Sequence, residues 1–174
     1  QRQNIFYFFY KFIVAAGPSA GIGVEALKPV YKSMGNPTIT KTITLTCGKL
    51  TQGVTVKPWS GIFMLRNLST PETYFQAAFR IQSPWSITEK NKKNVIEEKN
   101  LKEECYIFDF APNRALKLIS EYGSKLNLKT SNIEEKINEV IKFLPVICYD
   151  GSSMQDVDAA KILDISMYGS TASL

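Results

Sequence analysis

The sequence contains no histidine, and its three cysteines, Cys47, Cys105 and Cys148, lie far apart. The lack of an imidazole excludes Ser-His and Cys-His hydrolase chemistry, in which histidine acts as the general base. A zinc site is nearly excluded as well, because protein zinc is held mostly by histidine and by closely spaced cysteines. Unpaired cysteines are also typical of a protein from a reducing compartment.

Long apolar stretches are missing too. No segment reaches the roughly 20 consecutive apolar residues of a membrane-spanning helix. The aromatic run Ile5–Ala16 carries Lys11 and lacks a signal-peptide pattern, so a buried strand explains it better. With 44% apolar and 21% charged residues, the composition favours a soluble globular protein. The net charge of +5 permits a polyanionic partner but does not by itself argue for one.

The length of 174 residues allows one α/β domain with a modest appendage. The chain starts with Gln1 rather than methionine, and it ends in small polar residues. We therefore expect a piece of a longer polypeptide.

Predicted strands and helices alternate along most of the chain. Apolar and β-branched runs predict strands, and apolar residues at helical spacing predict helices. The strands are predicted over Ile5–Ala16, Thr38–Cys47, Gly61–Leu65 and Cys105–Phe110, and the helices over Val24–Met34, Pro71–Gln82 and Pro112–Lys125. This order implies a parallel sheet covered by helices on both faces.

Two regions have a different character. Glu89–Glu104 holds five lysines and five glutamates with few apolar residues, which predicts a solvated loop or helix without net charge. Further on, an apolar stripe over Ile133–Leu144 predicts an amphipathic helix, and Met154–Met167 predicts another. We therefore divide the chain into an α/β domain over residues 1–128 and a helical extension over residues 129–174.

Residues suited to ligand binding follow the second predicted strand. In open parallel sheets, ligands collect at the carboxyl ends of the strands. The segment Thr46–Pro58 lies there, and it offers Gly53 for a close backbone approach and threonine hydroxyls for phosphate contacts. Composition alone favours an ordinary glycine-containing turn.

The next predicted helix follows a cap at Ser69 or Thr70 and carries Gln76 and Arg80. These two residues are four apart and so share one helix face. Because its neighbours are mostly apolar or small, Arg80 needs a partner. That partner is either a structural carboxylate such as Asp109 or a phosphate from outside.

These two segments, in this order and on either side of a predicted strand, resemble two motifs of superfamily 2 helicases. Leu50–Pro58 (LTQGVTVKP) resembles motif V, and Tyr74–Arg80 (YFQAAFR) resembles motif VI. The resemblance is nearest to the motor subunits of restriction enzymes, and it covers roughly residues 5–125. It implies a three-layer RecA-like fold of the P-loop NTPase type, with this chain as the second of two RecA-like domains.

The resemblance also implies roles for particular residues. Arg80 falls on the motif VI arginine that stabilises charge on the γ-phosphoryl group of ATP during transfer. Gln76 falls on the polar residue that senses nucleotide. The other implied site residues belong to the motif V region: Gly53 and Thr55 for the nucleotide, and Thr46, Lys49 and Thr51 for the DNA backbone.

The function so implied is that of an ATP-dependent DNA helicase or translocase, an ATP hydrolase of the bacterial cytoplasm in a restriction or DNA-defence system. ATP and Mg²⁺ would be held mainly by an N-terminal RecA-like domain of the same polypeptide. This chain has no Gly-x-x-x-x-Gly-Lys-Ser/Thr loop and no Asp-Glu pair after a strand. We therefore expect it to bind DNA through phosphates but not to hydrolyse ATP by itself.

Several departures from the helicase pattern keep other interpretations open. Ser83 stands where the family usually has a second arginine, Phe79 replaces a glycine, and Thr55 replaces an aspartate. Arg66 or Arg114 could substitute for the missing second arginine.

Two rival functions follow. The first is a non-catalytic RecA-like scaffold or interaction domain, which Ser83 and Thr55 favour. The second is a nucleotide-binding enzyme that uses the loop Gly17–Gly23, since this loop joins a strand to a helix. That loop lacks both a lysine and the dinucleotide fingerprint, so we favour a structural turn there.

Overall fold

The computed structural model describes residues 9–50, 53–90, 96–126, 128–149 and 151–168. The chain divides into two compact units. Unit 1 comprises Gln1–Ile62 and Gln76–Tyr106, and unit 2 comprises Phe63–Phe75 and Ile107–Leu174. The domain boundary placed near residue 128 stays a prediction.

The described residues form eight strands and five helices. The strands are β1 Lys11–Ala15, β2 Thr42–Thr46, β3 Gly61–Met64, β4 Ser86–Lys90, β5 Ile96–Asn100, β6 Tyr106–Asp109, β7 Ile147–Tyr149 and β8 Met154–Asp156. The helices are α1 Val24–Met34, α2 Pro71–Ala78, α3 Pro112–Ser124, α4 Ile133–Phe143 and α5 Ala159–Tyr168. Two short 3₁₀ turns lie at Pro18–Ala20 and Phe79–Ile81. None of the helices in this part of the chain has the length and apolar character of a membrane span.

Among the described residues the strands pair two by two: β1 with β2, β3 with β6, β4 with β5, and β7 with β8. β1 and β2 are parallel, and Ala15 lies opposite Thr46 at the end of both strands. The carboxyl ends of these two strands therefore lie at the same edge. The three-layer parallel sheet expected for the whole domain stays a prediction.

The core of unit 1 lies beneath α1, which has the bounds predicted from its apolar spacing. Its end is marked by Gly35, whose φ of +55° suits the residue after a helix. The buried residues of this core come from β1, α1 and the loop after β2: Ile13, Ala15, Ala26, Leu27, Val30, Met34, Leu50, Val54 and Val56. The motif V-like loop is thus anchored from inside by its own apolar side chains.

The core of unit 2 is formed where α3, α4 and α5 pack together. Its fully or nearly fully buried side chains include Leu116, Ile137 and Ile162, one from each helix. Gly123 allows α3 to approach α4 closely, because a Cβ at this position would lie 3.0 Å from Cγ1 of Ile137. The helix α3 ends one residue before the end predicted for it.

The charged segment Glu89–Glu104, predicted as a loop or helix, contains strand structure instead. β4 and β5 pair antiparallel, with Ser86 opposite Asn100 and Thr88 opposite Glu98. Every residue of β5 is exposed, so this strand has no buried face. The prediction was wrong because a strand is recognised by its alternation of buried apolar and exposed polar residues, which is missing here.

The last predicted helix also starts later than expected. Residues Met154–Asp156 form β8, and the helix α5 begins at Ala159. Asp158 marks this start, because its Oδ1 accepts a hydrogen bond from the Lys161 amide at 2.8 Å. This cap is a sequence signal that apolar spacing alone overlooked.

The other predicted strands are present but shorter. The first is observed as β1, and residues 5–8 of the predicted strand lie outside the described residues. The second, third and fourth are observed as β2, β3 and β6, each within its predicted range.

Candidate functional site

Of the two predicted catalytic residues, Gln76 lies on the helix α2 and Arg80 on the turn after it, and this helix begins as expected. Thr70 caps it, since the Thr70 Oγ1 accepts a hydrogen bond from the Thr73 amide at 3.4 Å. Pro71 takes the first helical position, where its missing amide hydrogen costs nothing. The α-helix ends at Ala78, earlier than predicted, because the chain tightens into the 3₁₀ turn Phe79–Ile81.

Gln76 and Arg80 lie one turn apart in the segment α2 and its 3₁₀ extension. Gln76 is exposed and Arg80 is half-buried, whereas Ala77 and Ala78 between them are buried. The Nη1 of Arg80 donates a hydrogen bond to the carbonyl oxygen of Val54 at 2.9 Å. Arg80 therefore joins the motif VI-like segment to the motif V-like loop within unit 1.

The motif V-like loop alternates between buried and exposed residues. Gly53 has a φ of +67°. It is followed by buried Val54 and Val56 with the exposed Thr55 between them. The carbonyl oxygen of Thr55 accepts a hydrogen bond from the hydroxyl of Tyr31 at 3.0 Å. The loop is therefore held on both sides of Thr55, whose own side chain points outward.

Two of the residues predicted to contact DNA, Thr46 and Lys49, lie at the carboxyl edge of the β1–β2 sheet. Thr46 ends β2 and is exposed. The Nζ of Lys49 donates hydrogen bonds to the carbonyl oxygens of Gly17 and Gly21, the latter at 2.9 Å. Two of the three N–H groups of this ammonium thus serve the Gly17–Gly23 loop. Thr51, the third predicted contact, lies outside the described residues.

The structure adds Lys102, which the sequence interpretation did not single out. Lys102 follows β5, and its Nζ donates to the carbonyl oxygens of Lys57 at 2.8 Å, Trp59 at 3.0 Å and Ile81 at 2.7 Å. Burial lowers the pKa of this ammonium. No sequence signal marks such a residue, because all three acceptors are main-chain atoms whose positions depend on the fold.

The two other arginines considered for the missing motif VI position belong to unit 2. The Nη2 of Arg114 forms an ion pair with the carboxylate of Asp109, and its Nη1 donates to the carbonyl oxygen of Arg66 at 3.0 Å. Arg66 itself is exposed. Arg114 and Asp109, the proposed structural partner of Arg80, are therefore both engaged in a structural ion pair.

Metal-binding chemistry has little support in the described part of the chain, where no group of three His, Cys, Asp or Glu residues could hold an ion. The three cysteines are free thiols: Cys47 is exposed, Cys105 is partly exposed and Cys148 is buried. Burial raises the pKa of the Cys148 thiol, which makes it a poor nucleophile.

Comparison with curated proteins finds a relative in Mycoplasma pneumoniae. It is 37% identical over 140 residues, which make up 79% of this chain and 18% of the relative. Its name describes it, provisionally, as the C-terminus of a type II restriction enzyme and methyltransferase. The chain thus spans less than a fifth of the relative's length. No protein-family profile matches the chain, and no solved structure matches it.

Proposed function

We propose that this chain is the second RecA-like domain of an ATP-dependent DNA helicase or translocase that works in a restriction system. In this proposal a first RecA-like domain of the same polypeptide binds ATP and Mg²⁺, and the present domain completes a three-layer parallel fold beside it. Two lines support it: the order of the motif V-like and motif VI-like segments, and the restriction-system name of the relative.

The hydrogen bond between Arg80 and Val54 carries the proposal. It joins the two segments whose order and likeness to helicase motifs suggested this function, through two residues that lie 26 positions apart in sequence. A motor of this type needs such a link, because the arginine must keep a fixed position relative to the loop that senses DNA.

The chemistry assigned to the chain is electrostatic. In the complete protein ATP would supply the γ-phosphoryl group, and Arg80 would stabilise the charge that develops on it during transfer to water. Both side chains suit this role, since Gln76 is exposed and Arg80 is only half-buried. DNA phosphates would be bound mainly by Thr46, Thr51 and loop amides, because Lys49 already donates to two carbonyl oxygens.

The test is DNA-stimulated ATP hydrolysis by the complete protein. Arg80→Ala is expected to lower turnover about a thousandfold or more, with little change in folding or ATP affinity. Arg80→Lys keeps a positive charge and one donor for Val54 but loses the planar fork, so turnover should remain low. Lys32→Ala, on the exposed side of α1, is the control and should behave as wild type.

Two outcomes would count against the proposal. Unchanged turnover in Arg80→Ala would remove Arg80 from the mechanism. A wild-type protein without DNA-stimulated hydrolysis would favour the non-catalytic scaffold.

A further inference from the structure

We propose that Lys102 is a positioning residue, which holds the motif V-like loop and the turn that carries Arg80 at a fixed distance from each other. Its structural role stands on the geometry of unit 1 alone. Its effect on ATP hydrolysis rests on the function proposed above.

The evidence is the convergence of three carbonyl oxygens on one ammonium. Lys57 lies at the end of the motif V-like loop, Trp59 follows its last residue, and Ile81 is the residue after Arg80. Their carbonyl oxygens lie 2.7 to 3.0 Å from the Nζ of Lys102. An ammonium has three N–H groups, so these three acceptors can use all of them. Hydrogen bonds from a charged donor are stronger than those between neutral groups.

Lys102 and Arg80 therefore connect the same two segments at two separate points. Arg80 reaches from the turn to Val54 near the start of the loop. Lys102 reaches the end of the loop and the turn from a third segment of the chain. With a link at each end of the loop, the turn cannot shift along the loop without breaking one of them.

The backbone around Lys102 is itself held by hydrogen bonds, which restrict the movement of the Lys102 side chain. The amide of Lys102 donates to the Oδ1 of Asn100 at 3.1 Å. The amide of Leu101 donates to the carbonyl oxygen of Trp85 at 2.8 Å, and the amide of Tyr106 donates to that of Ser60 at 2.8 Å. These bonds hold the segment at Trp85, four residues after Ile81, and at Ser60, the residue after Trp59.

Hydrogen exchange in the complete protein tests the structural role. Lys102→Met keeps most of the aliphatic stem and removes the ammonium. Amides in residues 53–60 and 79–85 are expected to exchange about tenfold or more faster, and amides in α3 at the wild-type rate. Lys99→Met is the matched control, because Lys99 is exposed on β5 of the same strand pair. Wild-type exchange in both loop segments of Lys102→Met would overturn the proposal.

Steady-state ATP hydrolysis tests whether the effect is one of positioning. Lys102→Met is expected to lower kcat about tenfold or more while the KM for ATP stays within about twofold. Lys102→Arg retains the charge, but a planar guanidinium cannot aim three N–H groups from one nitrogen, so kcat should be restored only in part. A wild-type kcat in Lys102→Met, or a change confined to KM, would overturn the positioning role.

The two proposals can fail separately. If the wild-type protein shows no DNA-stimulated hydrolysis, the proposed function is wrong, and hydrogen exchange alone decides about Lys102. If Lys102→Met unfolds the whole protein, seen as fast exchange in α3, the same exchange measurement on Lys102→Arg decides instead. Wild-type rates in the two loop segments of Lys102→Arg would then overturn the proposal.

Discussion

The guanidinium of Arg114 holds the carboxylate of Asp109 from one nitrogen: Nη2 lies 2.6 Å from Oδ1 and 2.8 Å from Oδ2. Both side chains are largely buried, with 19% of Arg114 and 7% of Asp109 exposed. Asp109 ends β6 and also accepts a hydrogen bond from the Ala111 amide at 2.8 Å. Arg114 in turn donates to Oδ1 of Asn67 at 2.9 Å. The pair thus connects the end of β6, the first turn of α3 and the loop after β3.

Removing the guanidinium is expected to destabilise the protein. Arg114→Met leaves the Asp109 carboxylate buried without its ion pair, which should cost about 3 kcal/mol in the free energy of unfolding. Denaturant titration measures this loss. The control is Lys125→Met, which removes the ion pair between two exposed side chains, Lys125 and Glu72, and should leave the midpoint unchanged. Equal losses of unfolding free energy in the two variants would contradict a larger stabilisation by the buried Arg114–Asp109 pair than by the exposed Lys125–Glu72 pair.

A second expectation concerns alkaline pH. Burial, followed by the nearby Asp109 carboxylate, raises the pKa of Tyr74 to about 12, above its ordinary value of 10.0. Because the folded pKa exceeds the unfolded one, the protonated phenol stabilises the fold fully below pH 10, and this stability is lost as the pH rises towards about 12.

Tyr74→Phe should therefore reduce the alkaline loss of stability. Denaturant titration at about pH 9 and about pH 11 measures the difference in the free energy of unfolding. Tyr149→Phe, on an exposed side chain, is the control and should keep the wild-type difference. A wild-type difference in Tyr74→Phe would show that Tyr74 does not contribute.

Gly53 offers a test of the motif V-like loop. A Cβ at this position would contact nothing within 4 Å, so the φ of +67° is the only obstacle to substitution. Gly53→Val is expected to lower the free energy of unfolding by about 1 to 2 kcal/mol, because a β-branched residue is strained in the left-handed region. Gly53→Asn is the matched variant, and its loss should be smaller because asparagine tolerates this region. Equal losses of unfolding free energy in the two variants would show that a side-chain contact, and not the backbone conformation at residue 53, causes the destabilisation.

Gly123 tests the packing of α3 on α4. A Cβ there would lie 3.0 Å from Cγ1 of the fully buried Ile137, which has little room to move. Gly123→Val should destabilise the protein by about 1 to 3 kcal/mol through overpacking. Lys117→Val places the same side chain on the exposed face of α3 and should cost less. Thermal unfolding compares the two, and a Gly123→Val protein as stable as wild type would contradict the close approach.

Local signals predicted the helices best. The bounds of α1 and the cap at Thr70 follow from apolar spacing and from one hydroxyl beside the first turn, both of which act within a few residues. β5 was missed because it buries no side chain and so shows no alternation. Its pairing with β4 depends on hydrogen bonds between strands, which leave no such pattern in the sequence.

The sequence by itself determined which chemistry is available. Without histidine there is no imidazole base, and the segment Tyr74–Arg80 offers the amide of Gln76 and the guanidinium of Arg80. Only the tertiary structure decided what the cationic side chains bind. Arg80 donates to Val54, Lys49 to the Gly17–Gly23 loop, and Lys102 to three separate carbonyl oxygens. The physical reason is that these acceptors are main-chain oxygens. Every residue has one, so the choice among them is made only when distant segments meet in the folded chain.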